Sequence, residues 1–441
     1  MVLKRELGLF SSALVVVGGI IGSGIFFTPA ATAAALPSAG WVLFVWALGG
    51  GVALAGALTY AELGAMLPEA GGAYVYIREA FGPFPAFLSA WMNAGLISSG
   101  AIAAVAMGFA GYLERFLPLG AVGGPIGAAA ITIVVLTATN VLGIRPGVAV
   151  QNVLTIAKIA ALAGLIVGGL VLGLGPADAA AASMPANAPA APPLARGFAA
   201  AFVAVLFTIG GWQQMNMIAG EIRDPARNIP RALGLGIGIV IVVYLGVAGT
   251  YLGALGRDGL ALSAAPAGDT AARFGGAAAA TAMTVAAMLS ILGFVNVALL
   301  TNARVVFALG SDVSVLRAAG RVHARFGSPW VALVLLGGWS LALLLVTGGS
   351  IGTLLGGVVF ADWIFFALGA ASVFRLRALR PDAPRPYRAL GYPWLPAFFV
   401  TAGVVGIVSA YVSELRMSLF GTALLGLGAA LWFAARRPAR P

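Results

Sequence analysis

Twelve long apolar stretches follow one another along the chain, near residues 9–35, 40–67, 84–113, 125–142, 148–174, 197–222, 230–256, 276–310, 330–347, 350–374, 393–412 and 417–435. Each is about 20 residues or longer, enough for a helix rising 1.5 Å per residue to cross a hydrocarbon layer roughly 30 Å thick. Two of them are interrupted. The first, VVVGGIIGSGIFFTP, carries Gly22-Ser23-Gly24 in its middle, and the sixth, VAVLFTIGGWQQMN, carries Gly210-Gly211. Lipid offers no hydrogen bonds, so a broken helix persists at that depth only where it lines a cavity or a site. Paired glycine-interrupted spans in matching positions of two halves point to the binding site of a secondary transporter.

The Ala/Pro-rich stretch from Pro176 to Pro193 has no helical period and reads as an outer loop between the halves. Residues 1–175 then hold helices one to five, 176–196 the loop, 197–380 helices six to ten, and 381–441 the last two helices with a tail. Five spans per half force the second half to enter from the opposite side, so the two repeats are inverted. The expected fold is an all-α polytopic membrane protein with twelve transmembrane helices, a five-plus-five inverted repeat, and helices one and six broken.

Composition removes the soluble alternatives. The chain is 61% hydrophobic and 9% charged, where soluble domains carry about 25% charged residues. Met1 to Glu6 lead straight into a span longer than the apolar core of a cleavable signal. Cysteine is absent, which excludes a disulfide, a thiolate metal site and a thiol nucleophile. The net charge of +11 would suggest nucleic acid, but its placement follows membrane topology instead. Lys4, Arg5, the Arg223–Arg227–Arg231 set, Arg317–Arg321–Arg325, the Arg375 to Arg388 set and the last arginines all fall in the termini and even-numbered connections. The positive-inside rule places both termini in the cytoplasm, in a plasma or inner membrane, with no nucleic-acid partner. No phosphate-binding loop and no nucleophile with a deep histidine partner occurs, so the chain reads as a non-enzyme.

The chemistry gathers at the breaks. A half-helix starting near Ile25 exposes free N–H groups and attracts a carboxylate by a few tenths to about 2 kcal/mol. Ser23 adds a hydroxyl. Carbonyls near Phe207, Ile209 and Gly210 lose their helical partners and accept from an ammonium. Together these ends complement a zwitterionic α-amino acid. Lys158 lies about 15 Å into helix five, too deep to snorkel, and marks an ion path, a proton relay, or a fixed charge on broken-helix carbonyls near Gly19 and Ile20. Asp362 lies about 18 Å into its own helix. It lines the cavity, exchanges a proton, or pairs with Lys158. Phe207, just before the second break, is placed to act as a lid, and Glu62 to join a gate network. Trp41, Trp46, Trp330 and Trp432 read as interface anchors.

Four blocks in order, GGIIGSGIFFTPA, LTYAELGAMLPEAGGAYVYIREAFG, FTIGGW with EIRDPARNIPRAL, and RPDAPRPYRALGYP, resemble the amino acid–polyamine–organocation (APC) transporters. The likeness is strongest to the L-type amino acid transporter branch and its bacterial homologues. The resemblance implies a LeuT-type fold without cofactor or metal, and substrate between helices one, three, six, eight and ten. It implies that Gly22, Ser23 and Gly24 bind the substrate carboxylate. The carbonyls of Ile20, Phe207 and Gly210 would take the amino group, with Phe207 as gate. Lys158 would stand in for a sodium ion. The helix-three segment from Leu96 to Gly100, with Phe360 and Asp362, would face the side chain. The chain departs from the branch at Asp362, where a neutral residue is usual. It also lacks the cysteine that joins animal members to a heavy chain. The expected function is sodium-independent transport of neutral L-amino acids by alternating access. Proton-coupled symport of amino acids or amines, and a non-transporting sensor, are the alternatives.

Overall fold

The computed structural model describes residues 3–171, 191–350, 358–413 and 415–435. Among these residues it is helical without a strand, apart from one isolated bridge between Leu7 and Ile222. Most of the expected outer loop, up to residue 190, lies outside the described residues.

Each apolar run carries a helix. The first run splits into α1 (Leu9–Ile20) and α2 (Gly24–Ala35), and the second forms α3 (Ala39–Met66). A short α4 (Ala73–Phe81) precedes the third run. That run is α5 (Pro83–Met92), a π-helical turn at Asn93–Ile97, and α6 (Ser98–Leu113). α7 (Gly124–Val141) and α8 (Ile144–Val171) complete the first half. The sixth run is α9 (Leu194–Thr208), an irregular turn, and the single turn α10 (Gln214–Met217). Then come α11 (Pro225–Leu262), α12 (Pro266–Asp312), α13 (Trp330–Val346), α14 (Val358–Leu379), α15 (Trp394–Ser413) and α16 (Leu415–Ala435). α11 is interrupted at Gly256 and α12 at Gly275 and Gly276, close to where the apolar runs end and begin.

Among the described residues, seven helical segments are long and apolar enough to cross a membrane, and α1 with α2, bent by 42°, makes an eighth. α9, α13 and α16 are shorter apolar helices. Burial follows the same logic. Val15, Val16 and Val17 are all fully buried, so α1 is enclosed on every side by α8, α11 and α12. The outer helices instead present bare apolar side chains, such as Val153 at 67% and Val242 at 71% exposed, as a lipid-facing surface requires. Trp46 is not an interface anchor. It is buried, and its indole N–H donates to Thr32.

Charged residues concentrate at the end of the bundle that carries the N-terminus. Glu62 takes two hydrogen bonds from Arg377 and one from the Ala389 N–H. Arg78 reaches Glu69, Glu79 and Asp312, while Arg380 reaches Glu79. Glu221 and Arg304 form a buried pair, each 1% exposed.

Candidate functional site

Both breaks exist, and they cross. Gly211 has φ +103°, and a β-carbon built there would lie 2.2 Å from the Gly19 carbonyl oxygen. Only glycine allows that approach. Tyr244 ties the breaks together. Its hydroxyl donates to the Ile20 carbonyl at 3.0 Å and lies 3.4 Å from that of Thr208. Thr28 and Thr208 meet at 2.6 Å between hydroxyl oxygens. A β-carbon on Gly24 would come within 2.6 Å of Thr208.

The two ends of the first break are opposite in character. Ser23 stands at the N-cap of α2, yet its side chain makes no capping bond. The N–H groups of Ser23, Gly24 and Ile25 have no backbone acceptor among the described residues. Such an end carries partial positive charge and open donors. On the other side, carbonyls are already held. Lys158, fully buried, donates to Ile21, to Gly18 at 3.4 Å and to Ser290 at 3.3 Å. Ser290 donates to Gly22 at 2.9 Å. The lysine therefore seats on the Gly18 and Ile21 carbonyls, which flank Gly19 and Ile20. It makes no ion pair with Asp362 or any other carboxylate among the described residues.

Between the breaks lies a cavity of about 100 Å³, several times the roughly 10–15 Å³ that one water needs. Ile20, Gly22, Ser23 and Gly24 line it from one side, and Phe207 and Gly210 from the other. Phe207 is 41% exposed and lines the cavity beside the second break. Asp362 also lines the cavity, and no hydrogen bond reaches its carboxylate among the described residues. The side chain of Phe360 lies outside the described residues.

Helix three meets the cavity with part of the expected segment, Ile97 and Ser98. Leu96 and Gly100 are buried away from the cavity, which is lined instead by Asn93, Ile97, Ser98 and Ala101. A π-helical turn spans Asn93–Ile97, so this stretch departs from a uniform 3.6-residue repeat. The sequence reading also passed over the polar lining of Gln213, Gln214, Asn93 and Asn302. Amide side chains inside apolar runs were the available signal. Glu62 does join a charged network, as described above. His323 Nδ1 accepts from the N–H groups of Arg325 and Phe326.

Comparison with known proteins agrees with this architecture. The sequence profile of the amino acid permease family matches residues 7–430. The b(0,+)-type amino acid transporter 1 of Mus musculus is 30% identical over 420 residues, covering 93% of this chain and 84% of that protein. The serine/threonine exchanger SteT of Bacillus subtilis (strain 168) is 29% identical over 429 residues, with 96% and 95% covered. The large neutral amino acids transporter small subunit 2 of Homo sapiens is 32% identical over 396 residues, with 88% and 72% covered. With no cysteine in its 441 residues, the chain has no means of a disulfide link to a partner. A profile spanning nearly the whole chain and paired broken helices around one cavity lead to one conclusion: the chain belongs to the amino acid permease family of the APC superfamily, and is a membrane transporter rather than an enzyme.

Proposed function

We propose that the chain is a sodium-independent exchanger of neutral L-amino acids, working by alternating access. In this reading twelve helices cross a plasma or inner membrane as a LeuT-type five-plus-five inverted repeat, with both termini cytoplasmic. The observation that carries it is the pairing of open N–H donors at Ser23 and Gly24 with the second break across one cavity. The substrate carboxylate would sit at the α2 end, and its ammonium at the carbonyls of Phe207 and Gly210. The Ile20 carbonyl keeps a free lone pair beside its bond from Tyr244. Lys158 supplies the positive charge that a sodium ion would otherwise bring to the α1 carbonyls. The names of relatives that exchange serine and threonine, or carry large neutral amino acids, support the substrate class. The unpaired carboxylate of Asp362 favours one second reading, proton-coupled symport.

Counterflow of a labelled amino acid panel in liposomes tests the proposal. Amino acid amides and decarboxylated amines should compete at least tenfold more weakly than the parent acids, because neither presents an anion to the α2 end. Equal competition by the amines would sink the carboxylate assignment and favour an amine carrier. Binding without counterflow would identify a sensor instead.

Phe207 gives a second measurement. As a lid it should tolerate tyrosine, while Phe207→Ala slows counterflow about tenfold with unchanged yield of folded protein. Normal flux in the alanine variant would leave the ring a packing role only.

A further inference from the structure

We propose that Trp339, which lies outside the cavity, and Ser99 are positioning residues: they hold the π-helical turn of helix three and so keep the Ser98 side chain in the cavity. The proposal goes beyond the exchanger reading and does not depend on which substrate is carried.

The hydrogen-bond spacing of helix three changes at this turn. The Ser98 N–H donates to the Asn93 carbonyl, five residues back, where an α-helix bonds four back. Asn93, Ile97 and Ser98 all line the cavity. On a helix of 3.6 residues per turn, side chains five residues apart diverge by about 140°. A turn closed over five residues instead brings Asn93 and Ser98 toward one face.

Two side chains are fastened to successive carbonyls of the turn. The Ser99 hydroxyl donates to the Ala94 carbonyl at 2.8 Å, again five residues back. Thr132, Thr301 and Ser340, on regular stretches of helix, reach the carbonyl four back. Ser99 thus repeats the wider spacing with its side chain. The next carbonyl, that of Gly95, accepts from the Trp339 indole N–H at 2.9 Å. Trp339 belongs to α13, which packs against α6, and it is half exposed. Lipid supplies no acceptor for an indole N–H, so the bond to Gly95 is favoured over release into the bilayer. On the cavity side, the Asn93 amide nitrogen donates to Asn302 Oδ1 at 3.1 Å. The turn is therefore held by α12 from within and by α13 from without. Releasing the outer fastening lets the wide turn move along the helix, and Ser98 then turns away from the cavity.

The chain has no cysteine, so one introduced thiol reports its own surroundings. The full chain in liposomes carries either Ser98→Cys or, as a control for access to the whole cavity, Ser23→Cys on α2. Both should react with a small water-soluble methanethiosulfonate. Adding Trp339→Phe, which keeps an apolar ring without the N–H, should slow labelling at Ser98→Cys about fivefold or more. Labelling at Ser23→Cys should stay within about twofold. Adding Ser99→Ala should act in the same direction, and it decides alone if Trp339→Phe does not fold. Unchanged labelling at Ser98→Cys overturns the positioning role. Equal slowing at Ser98→Cys and Ser23→Cys also overturns it, because the substitutions would then close the cavity as a whole. A Ser98→Cys protein that does not react with Trp339 and Ser99 in place overturns the placement of Ser98 itself. Failure of counterflow in the wild type would overturn the exchanger reading and leave the labelling contrast intact.

Discussion

Replacing Lys158 with methionine is expected to slow exchange at least tenfold while leaving a protein that still assembles. The ammonium has no carboxylate partner among the described residues, so its whole role is exercised on backbone oxygens. Methionine fills the same path without supplying a donor. The Ile21 carbonyl would keep its bond from Ser290 at 3.2 Å, but the Gly18 carbonyl would lose its side-chain donor. An unsatisfied buried acceptor costs about 1–3 kcal/mol, and more where the lost donor was charged. Since 1.4 kcal/mol is about tenfold in an equilibrium, that loss is enough to unbalance the two states of a gate built on the break. Counterflow rate and elution as a single species in detergent report the two halves of the expectation. In the wild type, replacing sodium by choline should change nothing, because the site already holds its positive charge. A wild type that requires sodium, or a methionine variant that exchanges normally, removes Lys158 from the mechanism.

The positions of the breaks were legible because Gly22-Ser23-Gly24 and Gly210-Gly211 interrupt apolar runs where backbone polar groups have no solvent to turn to. Their crossing was not. That Gly19 rather than another glycine meets Gly211 depends on how α1 and α10 pack. Lys158 illustrates the same boundary. Its depth follows from counting residues at a fixed rise, but its acceptors, Gly18 and Ile21, depend on the rotation of α1. On helix three the resemblance marks the segment from Leu96 to Gly100, of which Ile97 and Ser98 line the cavity while Leu96 and Gly100 do not. Trp46 looked like an anchor because it lies near a span end, yet Thr32 draws its N–H inward. Among the charged residues, the pairs Glu62 with Arg377 and Glu221 with Arg304 join residues far apart in sequence. No periodicity reports such a pairing.

Glu221 and Arg304 are the sharpest case, and breaking them should produce the largest loss of stability. Arg304 donates to both carboxylate oxygens of Glu221, at 2.8 and 3.3 Å, and also to the Leu300 carbonyl. Each residue is only 1% exposed, so water cannot screen either charge once its partner has gone. Arg304→Leu leaves a bare carboxylate in the interior, a change that typically costs about 3–5 kcal/mol. The damage should extend beyond the pair. The Glu221 carbonyl accepts from the N–H groups of Glu6 and Leu7, at 2.8 and 3.0 Å, so the N-terminal segment is fastened to the same point. Thermal unfolding in detergent should show a drop of several degrees for Arg304→Leu, and earlier proteolysis near residue 6. The double variant Glu221→Leu with Arg304→Leu separates charge from packing. Removing both ions also removes their desolvation penalty, and well-packed apolar replacements of buried pairs are often neutral in stability. The double variant should therefore recover most of what the single one loses. A double variant as unstable as Arg304→Leu would mean that the hydrogen bond to Leu300 and the shape of the guanidinium, rather than the ion pair, hold α12 against the second broken span.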